Sequence, residues 1–256
     1  MMKNMFVLAI GAARETMVFK VNVVGGVLAL IMFYGLQFMF FDVINTFVAV
    51  EGDEWLLLFF MTFSVGSLMV DFFGASITAF FGHVVQGRAD ALLVRPVSLF
   101  SMVLLRESKF TYAVVALLIV VAFLVSRVGA EALLFESWTH VVLYFFCLMA
   151  GVVASICFLL GVNSIAFITQ RELPVDFIHS ELSSFGVVPS GFYPTSVFSM
   201  LMVFLPMIVF ASVAMEALYE GMTWLVCAYF FTVLVLMMAT RRVVATLFDS
   251  FDSVGG

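Results

Sequence analysis

"WLLLFFMTFSVGSLMVDFFGASITAFFG", residues 55–82, carries a single charged side chain, Asp71, in 28 positions. Phenylalanine, leucine and valine occupy every face that a helix through this stretch would have. No polar stripe is left to meet water, so the surroundings must be lipid or protein on all sides. At 1.5 Å per residue, about 20 residues cross a hydrocarbon core ~30 Å thick. This stretch therefore spans a membrane, and the rest of the chain has to be read as a membrane protein.

The composition agrees. The chain has 256 residues, 64% of them hydrophobic, 32 phenylalanines and only 11% charged residues. A soluble domain needs about a quarter charged residues to cover its surface. The formal net charge of −6 gives no basis for nucleic-acid binding. Cys147, Cys157 and Cys227 all fall within apolar runs, with no Cys-x-x-Cys pair or Cys/His cluster. Neither a disulfide framework nor a metal site is indicated, and apolar packing is their expected use. Arg14, Glu15 and Lys20 interrupt the only apolar run near the start, which does not read as a cleavable signal.

Other uncharged runs place the remaining spans, giving six in a single transmembrane domain over residues 1–256. Their approximate bounds are 21–41, 55–81, 109–127, 140–166, 194–214 and 222–240. With the N-terminus inside, Lys3, Arg14, Lys20, Arg88, Arg95, Arg106, Lys109, Arg171, Arg241 and Arg242 all collect on one side. The other side keeps only Arg127. Basic residues stay on the cytoplasmic side, so both termini are expected there, in a plasma (inner) membrane. The outer connections are short and acidic: Glu51, Asp53 and Glu54, then Glu131 and Glu136, then Glu216 and Glu220. The connection from Arg171 to about Tyr193 is expected to be cytoplasmic.

No Gly-x-x-x-x-Gly-Lys-Ser/Thr occurs, so the chain has no P-loop with which to hold ATP. Nor does it contain His-Glu-x-x-His or Gly-x-Ser-x-Gly, and no enzyme activity or bound cofactor is expected of it. His83, His140 and His179 fall near span boundaries, where interfacial packing accounts for them. Asp71 is the one embedded carboxylate, and without a second it gives no proton relay. A structural or interfacial use is expected for it, as are interhelical hydrogen bonds for Asn163 and Ser164.

Three segments carry more information. In residues 4–20, Asn4, Gly11, Arg14 and Glu15 share one helical face, with Phe6, Leu8, Ile10, Ala13 and Met17 over the rest. That pattern suits a helix lying in the cytoplasmic interface. Pro206 falls about 16 Å into span five and breaks the helix there. Either residues 207–220 fold as short re-entrant pieces or the span is simply kinked. Finally, a short cytoplasmic helix fits from about Gln86 to Val94. Asp90 lies toward its positive end, Arg95 at its negative end and Pro96 stops it. Leu92, Leu93 and Val94 give it an apolar face. Such a helix suits a socket on a cytoplasmic partner, or an ordinary turn at the headgroups.

"GRADALLVRPVSLF", residues 87–100, resembles the cytoplasmic segment after the second helix of permease subunits in type-2 ABC exporters. Gly87, Asp90, Leu93, Arg95 and Pro96 match, and Ala89 stands where that family more often has Leu. "VPSGFYP" resembles the family's approach to span five through Pro189, Tyr193 and Pro194. "FLPMIVFASVAMEAL" resembles its outer half through Pro206, but lacks the second downstream Pro. The resemblance implies an all-α, six-helix type-2 exporter fold, with a coupling helix at about 84–95 that includes Arg88 and Leu92. It also implies a minor coupling contact between spans four and five, two cytoplasmic P-loop ATPase subunits that hold ATP and magnesium, and a second permease half, identical or related.

The function expected from these readings is membrane passage of an apolar, amphiphilic or lipid-linked substrate out of the cytoplasm. Its cavity is expected to be walled by Phe and Met from spans one, two and five. A membrane scaffold that recruits an ATPase, or a secondary transporter, is the alternative.

Overall fold

The computed structural model describes residues 2–18, 20–47, 55–88, 99–125, 137–171 and 173–249. Among them the chain is helical throughout, with no strand. The helices are α1 (Met2–Val18), α2 (Lys20–Phe47), α3 (Trp55–Val85), α4 (Leu99–Leu105), α5 (Phe110–Val125) and α6 (Trp138–Asn163). They continue with α7 (Ala166–Thr169), α8 (Val175–Ser184), α9 (Thr195–Phe204), α10 (Pro206–Tyr219) and α11 (Trp224–Asp249). Single 3-10 turns follow α8 at Phe185–Val187 and precede α9 at Ser190–Phe192.

Four of these helices are long and apolar enough to cross a membrane: α2, α3, α6 with α7, and α11. The pair α9–α10, bent by 116°, makes a fifth when taken together. Helix α5 has 16 residues, about 24 Å, within the described part of the chain. Helix α3 is the axis of the bundle and packs against α2, α5, α6 and α10. Helices α3 and α6 run in the same direction, because Gly66 lies against Leu148 and Gly74 against Leu159. Helix α11 runs with them, since Thr240 donates a hydrogen bond to the Cys157 carbonyl near the far end. All three tryptophans of the chain, Trp55, Trp138 and Trp224, thus begin helices at one and the same end. An aromatic belt at a membrane interface has this composition, and this end is called outer below.

Two apolar cores stack along α3. The outer one joins Phe59, Phe63, Tyr144, Leu148, Tyr229 and most of α10. The inner one joins Ile77, Phe80, Phe81, Met102, Leu159, Phe167 and Val175. In the outer core α10 fits between α3 and α6 because both present glycine there. A β-carbon on Gly151 would lie 2.3 Å from the Phe210 β-carbon, and one on Gly66 would lie 2.3 Å from the Phe210 ring. Small residues that let helices approach are the usual means of packing where lipid supplies no hydrophobic drive. Thr62 and Tyr144 share a 2.8 Å hydrogen bond within the same layer, which satisfies two hydroxyls away from water.

Several sequence expectations change. The stretch 171–193, expected as a cytoplasmic connection, contains α8, and α8 and the following turn run along α3. Thr78 Oγ1 donates to Asp176 Oδ1 at 2.7 Å. Further on, a β-carbon on Gly186 would meet the Ile208 carbonyl at 2.6 Å and Phe63 at 3.1 Å. Thr78 and Phe63 are about 22 Å apart along α3. Ser190 N then donates to Ser212 Oγ at 3.1 Å, so Pro189, Tyr193 and Pro194 stand beside α10 rather than below it. Asp176 and Glu181 interrupted this segment in the uncharged-run reading. On α8 only Val175 and His179 are buried, and Asp176 and Glu181 are both exposed.

The break at Pro206 is present. Pro206 opens α10 at a helix position where its missing N–H is not needed, and Leu205 turns the chain. Residues 207–219 do not form separate short pieces, however; they continue as one buried helix. Helix α9 meets α10 at a bend of 116°, which fits either a broken span or a re-entrant loop. Asn163 and Ser164 bond within their own helix, to the carbonyls of Leu159 and Gly161, and bridge no neighbours. Cys147 and Cys157 are buried as expected, whereas Cys227 is exposed.

Candidate functional site: an inner cleft and an anchored cytoplasmic segment

Between α2, α3, α5 and α8 lies a cleft of about 460 Å³. Helix α2 contributes Phe33, Tyr34 and Gln37, and α3 contributes Phe63, Ser67 and Asp71. Lys109 and Tyr112 come from the start of α5, and Asp176, His179, Ser180 and Ser183 from α8. The local causes are simple. Helix α8 is only ten residues long and serine-rich, so its α3-facing side is polar. Gly74 and Ala75 on α3 leave space opposite it. The walls carry Phe33 and Phe63 but no methionine.

Asp71 stands about 24 Å from the outer end of α3. It is exposed to the cleft and makes no hydrogen bond or ion pair among the described residues. The interfacial or structural pairing expected for it is not seen. Asp176 has its partner in Thr78, and His179 Nε2 lies 3.4 Å from Ser183 Oγ. The Gln37 amide oxygen is buried with no hydrogen-bond partner. The cleft also holds donors, the Lys109 ammonium and the hydroxyls of Tyr34, Tyr112, Ser67 and Ser180.

At the inner end a second arrangement joins the residues that flank positions 89–98. Helix α3 ends with Gly87 N bonded to the Val84 carbonyl at 3.1 Å and Arg88 N to the His83 carbonyl at 2.9 Å. Gly87 has φ +69°, a left-handed conformation that glycine adopts without strain. This is the Schellman ending of a helix. The cytoplasmic helix expected from Gln86 therefore cannot begin before residue 89, because Gln86 and Gly87 close α3. Asp90, Leu92, Leu93, Arg95 and Pro96 lie outside the described residues. After them α4 resumes with Ser101, Met102, Val103 and Leu104 buried in the inner core. His83 Nε2 meets Glu107 Oε1 at 2.9 Å, and Glu107 N donates to Ser76 Oγ at 3.1 Å. Arg106 Nε lies 4.0 Å from the same carboxylate. Both ends of the segment are thus fastened to α3. His83 is a polar clasp, and His140 packs against Gly221 at the outer end.

Of the residues singled out in the sequence, Gly87 and Arg88 sit at this anchored corner. Pro189, Tyr193, Pro194 and Pro206 border the α8–α10 turn. The sequence reading missed Gln37, Ser67, Lys109, Tyr112, Asp176 and His179 as cleft residues. The available signal was Asp71 itself, a carboxylate in an apolar run with no sequence neighbour to neutralise it. Among the described residues no group of His, Cys, Asp and Glu is placed to hold a metal ion.

An all-helical bundle with long apolar helices, tryptophans at one end and a polar cleft near the other is an integral membrane protein. The chain belongs to the family described as ABC-2 family transporter protein, whose model matches residues 22–255. A comparison with the curated proteins finds no match. Family membership makes the chain a permease subunit of an ABC transporter and implies association with ATP-binding-cassette ATPase partners. This agrees with the absence of a P-loop from its own sequence.

Proposed function

We propose that the chain is the membrane half of an ATP-driven exporter that moves an amphiphilic or lipid-linked substrate out of the cytoplasm. Its single transmembrane domain, residues 1–256, crosses the inner membrane six times with both termini inside. α5 serves as the third span, and α8 through α10 together form the fifth. Helix α1 lies at the cytoplasmic interface, packed beside α4 and α5. A second permease half, identical or related, completes the pathway, and two ATPase subunits dock below with ATP and magnesium.

The observation that carries this reading is the anchoring of the 89–98 segment. It joins a capped helix end to a buried helix, and the His83–Glu107 clasp links its two flanks. Force delivered at Gly87 and Arg88 would pass directly to α3, whose end they cap. Closure of the ATPase pair then changes the cleft on the same helix between inward and outward access. Gly87, Arg88, Asp90, Leu92, Leu93, Arg95 and Pro96 make the ATPase contact in this scheme.

The test is the double variant Leu93→Asp with Arg95→Glu. Loss of an apolar anchor and inversion of a charge at a partly buried contact should each weaken binding by about 2 kcal/mol or more. The ATPase should fail to copurify in mild detergent, or remain bound without responding to substrate, while membrane insertion is unchanged. A full complement of ATPase with normal coupled turnover would show that the segment is only a turn at the headgroups. ATPase copurification without any substrate-stimulated turnover in the unmodified complex would favour a scaffold.

A further inference from the structure

We propose that the inner cleft is selective for positive charge: its occupant is a lipophilic cation, with an amine, guanidinium or onium group seated at Asp71. The transport meaning of this site rests on the permease reading, but the binding itself does not.

The chemistry follows from what the cleft lacks. Asp71 faces it from the middle of a membrane helix without a hydrogen bond or ion pair among the described residues. A bare carboxylate away from bulk water is costly, so a positive group placed beside it gains strongly. Asp176 adds a second acidic group, already held by Thr78 at 2.7 Å. Lys109 and the His179 imidazole also face the cleft, but Lys109 is not within ion-pair distance of either carboxylate. Independently of these charges, the buried Gln37 oxygen has no donor. Two acceptor sites without donors call for a ligand that brings donors or positive charge.

The walls extend the argument. The cleft is lined by rings from Phe33, Tyr34, Phe63 and Tyr112. Aromatic faces carry negative quadrupole density and attract cations, most of all where water is scarce. The same rings offer dispersion to an apolar body. A volume of about 460 Å³ suits a body of drug-like size. An anion of the same shape would meet the carboxylates of Asp71 and Asp176, with Lys109 to offset them. A neutral molecule would leave Asp71 unanswered.

Tetraphenylphosphonium and tetraphenylborate form a suitable probe pair, equal in shape and opposite in charge. The full-length chain is reconstituted in nanodiscs of zwitterionic lipid, and binding is measured by equilibrium dialysis, with protein-free discs subtracted. Saturable binding is expected for the phosphonium and not for the borate. Asp71→Asn, which keeps the shape and removes the charge, should weaken phosphonium binding about tenfold. Asp71→Glu should retain it, and Lys109→Gln should strengthen it about threefold by removing the competing charge. These two variants keep the claim open to refutation if Asp71→Asn fails to insert. Equal saturable binding of both ions, unchanged binding in Asp71→Asn, or weaker phosphonium binding in Lys109→Gln would each overturn the proposal. The assay contains no ATPase, so failure of the exporter reading leaves its result standing. Conversely, coupled turnover in a complex that binds no phosphonium would sink the cation site and spare the exporter.

Discussion

The outer and inner halves of α3 face opposite kinds of surroundings. Around Phe59 to Gly66 the helix is packed against α6 and α10 with glycine opposite a phenylalanine ring, and hydroxyls such as Thr62 and Tyr144 satisfy each other. Around Ser67 to Ala75 the same helix borders a polar cleft in which Asp71 and Gln37 have unused hydrogen-bonding capacity. The outer half is a closed wedge; the inner half is a place for something to sit.

Substitutions sharpen or break this contrast. The largest effect should come from Gly151→Leu. Its side chain would start 2.3 Å from the Phe210 β-carbon, an atom fixed to the α10 backbone that cannot swing aside. Helices α6 and α10 would be forced apart, at a cost of about 3 kcal/mol or more. The variant should lose its cooperative thermal transition in detergent, and Phe210→Gly in the same chain, which removes that β-carbon, should restore part of it. A Gly151→Leu chain as stable as the original would mean that the wedge is loose.

Phe210→Ala alone should come next. In lipid the transfer gain of burying a ring largely cancels, leaving the cavity it vacates. At about 24 cal/mol per Å³ and a void on the order of 100 Å³, the loss is about 2 kcal/mol. It should appear as a lower thermal midpoint with insertion unchanged.

The smallest effect belongs to the inner half. Gln37→Leu removes a buried amide oxygen that has no partner. Stability should be unchanged or raised by about 1 kcal/mol, because an unsatisfied polar group is exchanged for an apolar one. Should this variant lose as much stability as Phe210→Ala, the inner cleft is a tightly packed core and the contrast between the halves fails.

Much of this was readable along the chain. The uncharged runs marked the apolar helices, because lipid requires every face of a spanning helix to be apolar and that requirement is local. Pro206 marked the bend for an equally local reason: a proline cannot donate within a helix. Gly87 and the basic, proline-ended segment after it marked the inner corner. That α8 packs along α3 was not legible, because α8 carries Asp176 and Glu181 and a run-length rule finds only helices with lipid on all sides. Whether a charged helix is tolerated depends on what packs against it, which is information the local sequence does not contain.

The site shows the same division. Asp71 was visible at once as an isolated carboxylate, but its neighbours come from α2, α5 and α8, separated from it by tens of residues. The sequence by itself determined that this chain lives in a membrane and which end is basic, since each follows from composition or a short contiguous pattern. Only the tertiary structure decided that α10 fills the outer half, that α8 lines the inner half, and that Gln37, Asp71, Lys109 and Asp176 share one cleft. Those facts depend on helix registers, which are set by where Gly66, Gly151 and Gly186 let distant backbones and rings come close.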